Sequence, residues 1–472
     1  MTDKAQVEKL PFWKMLMYNL GATGWSMGSY AIANLLIYFY MPPESGGNPI
    51  FPARIFQGSI LGILTIIGVI FAGGRLFDAV TDPIVATWSD RSKSPLGRRR
   101  KFMLISTIPF AVFSVLCFIP LTREVSVLNS LWLALTTVLA YFFMTMYVTP
   151  HYAWMSELGH NPQERVVIST VMSVCWILGY VAGSMSIAVQ GMLEKTMPSM
   201  QAFQVTLAGA AVISVVLMLL PVIFIDERRY CEPHVSEQGT LEALKSCAKN
   251  RNFLYFVLSD VTNFAAQIFL FSGMVYYITV LLRFEKEFYS MVIMITVAVS
   301  FIFYPVTVWT SKKYGKKAVL LSSYVAFAVG YLIITFLGRL PMTQMAQIVV
   351  MLIFFSFAIA VSGILPNAVT ADIAEADGIT GGEFKAGIFF GARTFAYKMG
   401  QMIAALIFPS FLLLGMTVGD DLGIRLSALA GMVITIVGGL LLLRYNEREV
   451  LGILATREDV SDEVLERLEG EK

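Results

Sequence analysis

Long apolar segments, separated by short polar stretches, make up most of this chain. Twelve segments are apparent, at residues 15–41, 55–88, 102–121, 127–155, 166–190, 202–225, 253–282, 288–310, 318–338, 344–371, 386–415 and 424–444. Each is about 20 residues or longer, which is the length that an α-helix needs to cross a bilayer. The segments are continuous and do not alternate as membrane β-strands do, so the pattern predicts an all-α membrane protein with twelve transmembrane helices.

The composition agrees with this prediction. Of the 472 residues, 56% are hydrophobic and 14% are charged, whereas soluble domains carry about 25% charged residues. The net charge of +2 is close to neutral, so no nucleic-acid partner is expected. Three histidines and four scattered cysteines form no recognisable metal site or nucleophile–base pair, so no cofactor, metal or enzymatic activity is expected.

The lysines and arginines predict the orientation in the membrane. With the N-terminus in the cytosol, 25 of the 35 basic residues fall in cytosolic segments, seven fall outside and three lie within spans. Basic residues concentrate on the cytosolic side of membrane proteins. A multi-pass protein of the plasma (inner) membrane is therefore predicted, with both termini in the cytosol, and we expect it to be a monomer.

A weak internal repeat divides the chain into two sets of six segments. The basic loop "SDRSKSPLGRRRK" after the second segment resembles "SKKYGKK" after the eighth. The predicted organisation is a first half at 1–225, a cytosolic central loop at 226–252, a second half at 253–445 and a cytosolic tail at 446–472. Two parallel six-helix halves indicate the major facilitator fold.

Three ionisable residues share one face of the second segment. Arg75 and Asp78 are three residues apart, and Asp78 and Asp82 are four apart, so a helix presents all three on one side. A charge at the bilayer centre costs roughly 2.5–3.5 kcal/mol, so these side chains must face protein or a water-filled cavity. At about 1.5 Å per residue, Asp78 and Lys398 of the eleventh segment both lie close to the midplane.

Two interpretations of these charges are open. They could neutralise one another as a buried brace, although buried ion pairs stabilise poorly compared with apolar packing. Alternatively, Asp78 and Asp82, with the hydroxyls of Thr81 and Thr145 nearby, form a cation site. Hard cations prefer oxygen ligands, and two close carboxylates also favour uptake of a proton.

Four stretches resemble the glycoside–pentoside–hexuronide:cation symporters, the melibiose permease family. They are "GRLFDAVTDP", "TPHYAWMSEL" with "NPQER", "LPNAVTADIAEADG" and "FFGARTFAYKMGQ", in that order along the chain. The resemblance implies cation-coupled (Na⁺ or H⁺) symport of a small organic solute such as a sugar by alternating access. It implies cation-binding roles for Asp78 and Asp82, with Thr81 and Thr145 at neighbouring positions.

The same resemblance implies roles for residues elsewhere in the chain. Lys398 and Thr394 match helix positions that contact the substrate and couple it to the cation. Arg165, Asp372 and Glu375 match charged positions of the cytosolic gate, to which Arg75 is also assigned.

The sugar-binding positions depart from the melibiose-type pattern. Trp25 and Ser26 stand where those members carry a lysine and an acid, and Tyr152 stands at a tryptophan position. Val148 and Met172 replace an acid and an arginine. Most of the polar side chains that would bind a galactoside are therefore absent. A lysophospholipid or other amphiphile is the alternative substrate. A membrane enzyme or a sensor is a third, less favoured class, because neither catalytic residues nor an output domain are recognisable.

Overall fold

The structure, a computed structural model, describes residues 8–45, 48–60, 62–159, 162–231, 249–381 and 386–455. Each of the twelve predicted apolar segments overlaps a helix within these ranges. Among the described residues, nine helices are long and apolar enough to cross a membrane. The helical, polytopic class is therefore confirmed, while the count of twelve spans stays a prediction.

The first three predicted spans are the ones that fall outside these nine, and each carries polar positions. The first helix is rich in glycine, serine and tyrosine, and a π-helical turn at Ala31–Leu35 interrupts it. The second contains Arg75, Asp78 and Asp82, and the third begins with four consecutive basic residues. The charges that lower the apolar character of the second helix are those that the sequence singled out for function.

The described chain divides into two compact units, and the predicted sequence halves stay a prediction. The first unit comprises Met1–Glu237, Phe271–Met294 and Ala405–Ile424, and the second comprises Gln238–Leu270, Ile295–Ala404 and Arg425–Lys472. The first unit holds α1 (Phe12–Tyr30), α2 (Leu36–Tyr40), α3 (Ile66–Asp90), α4 (Arg98–Leu116), α5 (Val127–Leu158), α6 (Pro162–Ser184), α7 (Ser186–Leu193), α8 (Ser199–Phe224) and α9 (Glu227–Tyr230). Within it, α1 packs on α6 and α8, and α5 packs on α3 and α4.

Two short antiparallel hairpins precede α3. Strands β1 (Glu44–Ser45) and β2 (Asn48–Pro49) form the first, and β3 (Ser59–Ile60) and β4 (Leu64–Thr65) form the second. Thr65 then caps α3 by accepting a 3.1 Å hydrogen bond from the backbone N–H of Gly68. The predicted start of the second span at residue 55 is therefore wrong by eleven residues, because the apolar run there includes a hairpin as well as a helix.

The remaining helices are α10 (Arg251–Tyr276), α11 (Phe288–Tyr314), α12 (Lys316–Thr335), α13 (Gln344–Gly381), α14 (Ala386–Leu412) and α15 (Leu422–Leu443), with a π-helical turn at Tyr277–Leu281. The second unit contains most of α10 to α15. Its core includes Phe253, Phe256, Leu320, Val361 and Phe389. These side chains come from α10, α12, α13 and α14, so the four helices pack around one apolar core.

The same capping arrangement occurs once in each unit. In the first unit, Gly97 precedes α4 with φ +105°, and Glu227 accepts hydrogen bonds from the backbone N–H groups of Arg99 (3.1 Å) and Arg100 (3.2 Å). A carboxylate at a helix N-terminus satisfies free N–H groups and complements the helix dipole. Burial raises the pKa of Glu227, although these backbone N–H groups oppose the increase.

In the second unit, the residue before α12 is Gly315, with φ +88°. Glu447 accepts hydrogen bonds from the backbone N–H groups of Lys316 (2.6 Å) and Lys317 (3.1 Å). The basic loops that the sequence paired as a repeat therefore begin helices that are capped in the same way.

Candidate cation and substrate site

A polar ladder joins α3 and α5 within the first unit. The hydroxyl of Thr145 donates a 2.6 Å hydrogen bond to Oδ1 of Asp78, and the hydroxyl of Thr149 donates a 3.3 Å bond to Oδ1 of Asp82. In both pairs the threonine follows the aspartate by 67 residues. The two aspartates are four residues apart on α3, and the two threonines are four residues apart on α5. One face of α3 therefore presents two carboxylates to one hydroxyl-bearing face of α5.

A glycine sets the close approach of these two helices. A Cβ atom at Gly74 would lie 2.8 Å from the ring of Tyr141 and 2.9 Å from Cγ2 of Thr137. Gly74 is one turn before Asp78 on α3, and Tyr141 is one turn before Thr145 on α5. The missing side chain thus lets α3 approach α5 closely enough for the threonine–aspartate bonds to form.

Asp78, Asp82 and Thr145 bring carboxylate and hydroxyl oxygen atoms to the contact between α3 and α5. Asp78 is buried, with 2% of its surface exposed, and Thr145 is also buried, while Asp82 is partly exposed. Carboxylate and hydroxyl oxygens suit a hard cation such as Na⁺, and a carboxylate is also the group that takes up a coupling proton. The role of these residues as a cation site stays a prediction.

Thr81 forms hydrogen bonds within α3, whereas Thr149 of α5 reaches an aspartate carboxylate. The hydroxyl of Thr81 donates to the backbone carbonyls of its own helix, at Phe77 (2.9 Å) and Asp78 (3.1 Å). Thr149 had not been identified, although its spacing of four residues from Thr145 matches that of Asp78 and Asp82. The role of Thr81 as a ligand stays a prediction.

Aromatic side chains from α1, α5 and α6 lie together in the same unit. The ring of Trp25 is 6.2 Å from that of Tyr152 and 6.4 Å from that of Trp176. Trp176 stacks on Tyr180 at 5.4 Å. Tyr152 is 44% exposed, so this aromatic row has an accessible edge.

Ser26 holds two helices together beside this row. It is buried, and its hydroxyl donates a 2.8 Å hydrogen bond to the backbone carbonyl of Trp176. Of the predicted substrate residues, Trp25 and Tyr152 thus lie together, and Ser26 joins α1 to α6.

The predicted residues of α14 lie in the second unit. Lys398 and Thr394 are partly exposed and one turn apart on that helix. Their predicted relation to the aspartates of α3 stays a prediction.

A buried ion pair on α10 and α14 escaped the sequence reasoning. Asp260, 2% exposed, accepts a 2.7 Å hydrogen bond from Nε of Arg393, whose Nη1 donates to Asn367 at 2.7 Å. Asp260 is an acidic residue inside a predicted span. This position alone indicates either a functional site or a basic partner, so the sequence did contain a signal for it.

The predicted gate residues make local contacts. Arg165 donates a 2.8 Å hydrogen bond to the carbonyl of Gly159. Asp372 forms an ion pair with Lys316, and Glu375 is exposed. Their role as a gate stays a prediction.

The helices and the buried carboxylate site define a polytopic membrane protein of the major facilitator type, and comparisons with known proteins make this more specific. Residues 17–446 match the sequence model described as "MFS/sugar transport protein". The chain therefore belongs to this family, which is the glycoside–pentoside–hexuronide family of the major facilitator superfamily. The resemblance found in the sequence is confirmed.

Named relatives match parts of the chain. The isoprimeverose transporter of Lactiplantibacillus pentosus is 31% identical over 26% of this chain and 26% of its own length. The inner membrane symporter YicJ of Escherichia coli (strain K12) is 25% identical over 49% of this chain and 50% of its own length. The matches thus span about a quarter to a half of these curated relatives.

Solved structures match nearly the whole chain at low identity. The nucleoside transporter NupG aligns with a TM-score of 0.66 and 13% identity, covering 92% of this chain and 98% of that one. A D-xylose–proton symporter aligns with a TM-score of 0.66 and 12% identity, with the same coverages. These similarities confirm the major facilitator fold.

Proposed function

We propose that this protein is a secondary active transporter that couples the movement of a sugar or glycoside to that of Na⁺ or H⁺. The observation that carries the proposal is the ladder between α3 and α5, in which Asp78 and Asp82 each accept a threonine hydroxyl. A carboxylate in a membrane helix is costly, and by default it marks an ion, proton or substrate site or an ion pair. The carboxylate pair supplies the ion site that coupled transport needs.

The family and its named members support the same activity. The chain matches a family of sugar transport proteins over residues 17–446. One partial relative is named for the transport of isoprimeverose and another is named a symporter. The aromatic row of Trp25, Tyr152 and Trp176 adds apolar ring faces, which pack against the C–H surface of a sugar.

The proposal is tested by uptake into proteoliposomes containing the purified protein. A panel of glycosides is offered with an inward Na⁺ gradient, an inward proton gradient or neither. Accumulation of at least one glycoside above its external concentration, driven by one of the gradients, is expected. The Asp78→Asn and Asp78→Cys variants should lose this accumulation, because neither side chain supplies a carboxylate.

The control for these variants is Glu124→Gln. Glu124 is an exposed carboxylate in the loop before α5, so its loss should leave uptake unchanged. Gradient-driven accumulation that persists in both Asp78 variants would contradict the ion-site assignment. Uptake of lysophosphatidylcholine, with no uptake of any glycoside, would contradict the sugar assignment.

A further inference from the structure

An apolar cavity lies between α11, α12 and α13 in the second unit. Its volume is about 270 Å³, and its lining includes Phe303 of α11, Ser322, Val325 and Ala326 of α12, and Phe354 and Phe357 of α13. Ser322 is the one polar residue of the lining, and its hydroxyl donates a 2.7 Å hydrogen bond to the carbonyl of Val319 in its own helix. The cavity therefore suits a hydrocarbon chain and not a polar ligand.

The mouth of the cavity lies on the surface of the helices. Of the lining residues, Val325 is 63% exposed and Ile353 is 46% exposed. All three helices are among those that are long and apolar enough to cross a membrane. Because an apolar surface within a span meets the hydrocarbon of the bilayer, lipid chains are the molecules that reach this mouth.

The depth of the cavity matches one leaflet of the bilayer. Phe303 precedes Tyr314, the last residue of α11, by eleven positions. This separation is about 16 Å along a helix, or half of a hydrocarbon core about 30 Å thick. Eleven residues are also close to three full turns, so Phe303 and Tyr314 lie on the same face of α11. An acyl chain whose headgroup lies at the end of α11 would thus reach the cavity.

Two lysines at this end of α11 are without an acidic partner. Lys312 and Lys313 are exposed in its last turn, and neither forms an ion pair with an acid in the described ranges. The Nζ atom of Lys313 lies 5.3 Å from the ring centre of Trp309 and 5.1 Å from that of Tyr314, and both rings are exposed. Exposed aromatic and basic side chains at the end of a span are typical of the membrane interface.

The next two lysines of the same basic loop are used inside the protein. Lys316 forms an ion pair with Asp372. Lys317 donates hydrogen bonds to the backbone carbonyls of Leu443 (2.8 Å) and Tyr445 (2.6 Å). The loop "SKKYGKK" therefore holds one pair of lysines that the fold satisfies and one pair whose charge is open to an anion outside the chain.

We propose that an anionic phospholipid binds along α11, with its phosphate at Lys313 and one acyl chain in the cavity between α11, α12 and α13. Lys312 adds positive potential beside the phosphate. Lysines next to the cytosolic end of a span attract anionic headgroups, and this loop is predicted to be cytosolic. The site is separate from the proposed ion site on α3 and α5, and it does not depend on the transported substrate.

The experiment compares two lipids that have the same chains and differ in headgroup charge. Binding of palmitoyl-oleoyl phosphatidylglycerol and of palmitoyl-oleoyl phosphatidylcholine to the purified full-length protein in detergent is measured by native mass spectrometry. The unaltered protein should bind the phosphatidylglycerol at least about tenfold more tightly. Lys313→Gln should weaken that binding by about fivefold, which is the contribution of one basic residue near an anionic surface, and Lys312→Gln/Lys313→Gln should weaken it further. Binding of phosphatidylcholine should stay nearly unchanged in both variants.

A second variant tests the seat of the acyl chain. Ser322→Phe places a ring in the cavity and should weaken the binding of both lipids by a similar factor, of about fivefold or more, because the chains are the same. Headgroup selectivity should therefore depend on the lysines, and affinity for both lipids should depend on the cavity. If Ser322→Phe does not fold, Val325→Phe takes its place, since the side chain of Val325 is exposed at the mouth.

Each arm has a matched control. Lys93→Gln/Lys101→Gln also removes two exposed lysines, but from the basic loop between α3 and α4, and should leave the preference for phosphatidylglycerol intact. Val433→Phe adds a ring at an exposed position of α15, which is outside the cavity lining, and should leave the binding of both lipids unchanged.

Five outcomes would overturn the proposal. Equal affinity of the unaltered protein for the two lipids would exclude an anionic headgroup site. The same loss in Lys93→Gln/Lys101→Gln as in Lys312→Gln/Lys313→Gln would show an effect of overall charge alone. Unchanged lipid binding in the folded cavity variant would show that no acyl chain enters the cavity. Displacement of the phosphatidylglycerol by equimolar glycerol 1-phosphate would identify a site for a free phosphate ester. A lipid-free dimer that the same variants dissociate would show that a second copy of the chain covers this face.

Discussion

The hydroxyl of Thr145 donates a 2.6 Å hydrogen bond to the carboxylate of Asp78, a residue that precedes it by 67 positions. Both side chains are buried, at 1% and 2% exposure. A hydrogen bond to an ionised group contributes about 1.5–3 kcal/mol. This contact therefore fixes the orientation of the carboxylate that we propose as a cation ligand.

Substitution of Thr145 should weaken the ion site without removing it. Thr145→Ala is expected to raise the cation concentration for half-maximal uptake by about tenfold or more, because it removes a charge-assisted hydrogen bond. Thr145→Ser keeps the hydroxyl and should stay within about threefold of the unaltered protein. The measurement is uptake as a function of Na⁺ concentration or of pH.

Thr149→Val provides an internal comparison for this prediction. Its bond to Asp82 is longer, at 3.3 Å, so the loss should be smaller than for Thr145→Ala. An equal or larger effect of Thr149→Val would argue that Asp82, rather than Asp78, is the main ligand. No effect of Thr145→Ala would contradict the ion site.

The packing of α3 on α5 should depend on one glycine. Gly74→Ala places a Cβ atom 2.8 Å from the ring of Tyr141, so the helices must separate or the ring must move. Overpacking of this kind costs about 1–3 kcal/mol. We expect a lower thermal unfolding temperature in detergent and a weaker cation response.

The neighbouring glycine is the matched control for this substitution. A Cβ atom at Gly73 would meet nothing within 4 Å, so Gly73→Ala should be neutral or slightly stabilising because alanine is the better helix former. Equal unfolding temperatures for the two variants would show that the close approach at Gly74 is unimportant.

The two helix caps should contribute similarly to stability. Glu227→Ala and Glu447→Ala each remove a carboxylate that accepts two backbone N–H groups. Loss of a helix cap costs about 1–2 kcal/mol. Each variant is expected to unfold at a lower temperature, and the double variant should show the sum because the caps lie in separate units.

Glu124→Ala serves as the control for the caps, since this acid is exposed. If neither cap variant unfolds earlier than the control, the caps contribute nothing. Unequal losses would show that the two arrangements, although alike in geometry, differ in energy.

An ion pair in the first unit should give a pH-dependent contribution to stability. Lys286 bonds the carboxylate of Glu194, which also accepts a 2.9 Å hydrogen bond from Gln190. Burial alone would raise the pKa of Glu194, but the hydrogen bonds from Lys286 and Ser199 and the charge of Lys286 lower it below its usual value. The stabilisation is therefore present above the ordinary pKa of a glutamate and is lost as the pH falls through the lowered value.

Lys286→Met should reduce stability at neutral pH by up to about 1 kcal/mol, as expected for a partly exposed pair. The difference from the unaltered protein should disappear at acidic pH, once Glu194 is protonated in both. Unfolding temperatures are measured between neutral and acidic pH, with Lys195→Met as the control because that side chain is exposed. A difference that is independent of pH would contradict the ion pair.

Sequence periodicity alone determined the local features of this protein. The apolar segments indicated helices because backbone groups in lipid must bond within the segment. The spacing of Arg75, Asp78 and Asp82 predicted a shared face because a helix repeats every 3.6 residues. The predicted bounds were wrong at residues 55–65, where apolar residues include a hairpin, and at the end of the tenth segment, where α13 continues ten residues beyond residue 371.

The tertiary structure decided which residues face one another. Thr149 rather than Thr81 donates to an aspartate carboxylate, because the packing of α3 on α5, close at Gly74, places it there. The partner of Arg393 is Asp260, 133 residues away, and periodicity within either helix does not specify the pairing. The helical repeat determines which nearby residues share one face of a helix. The residue that contacts them from another helix depends on how two helices, distant in sequence, pack together.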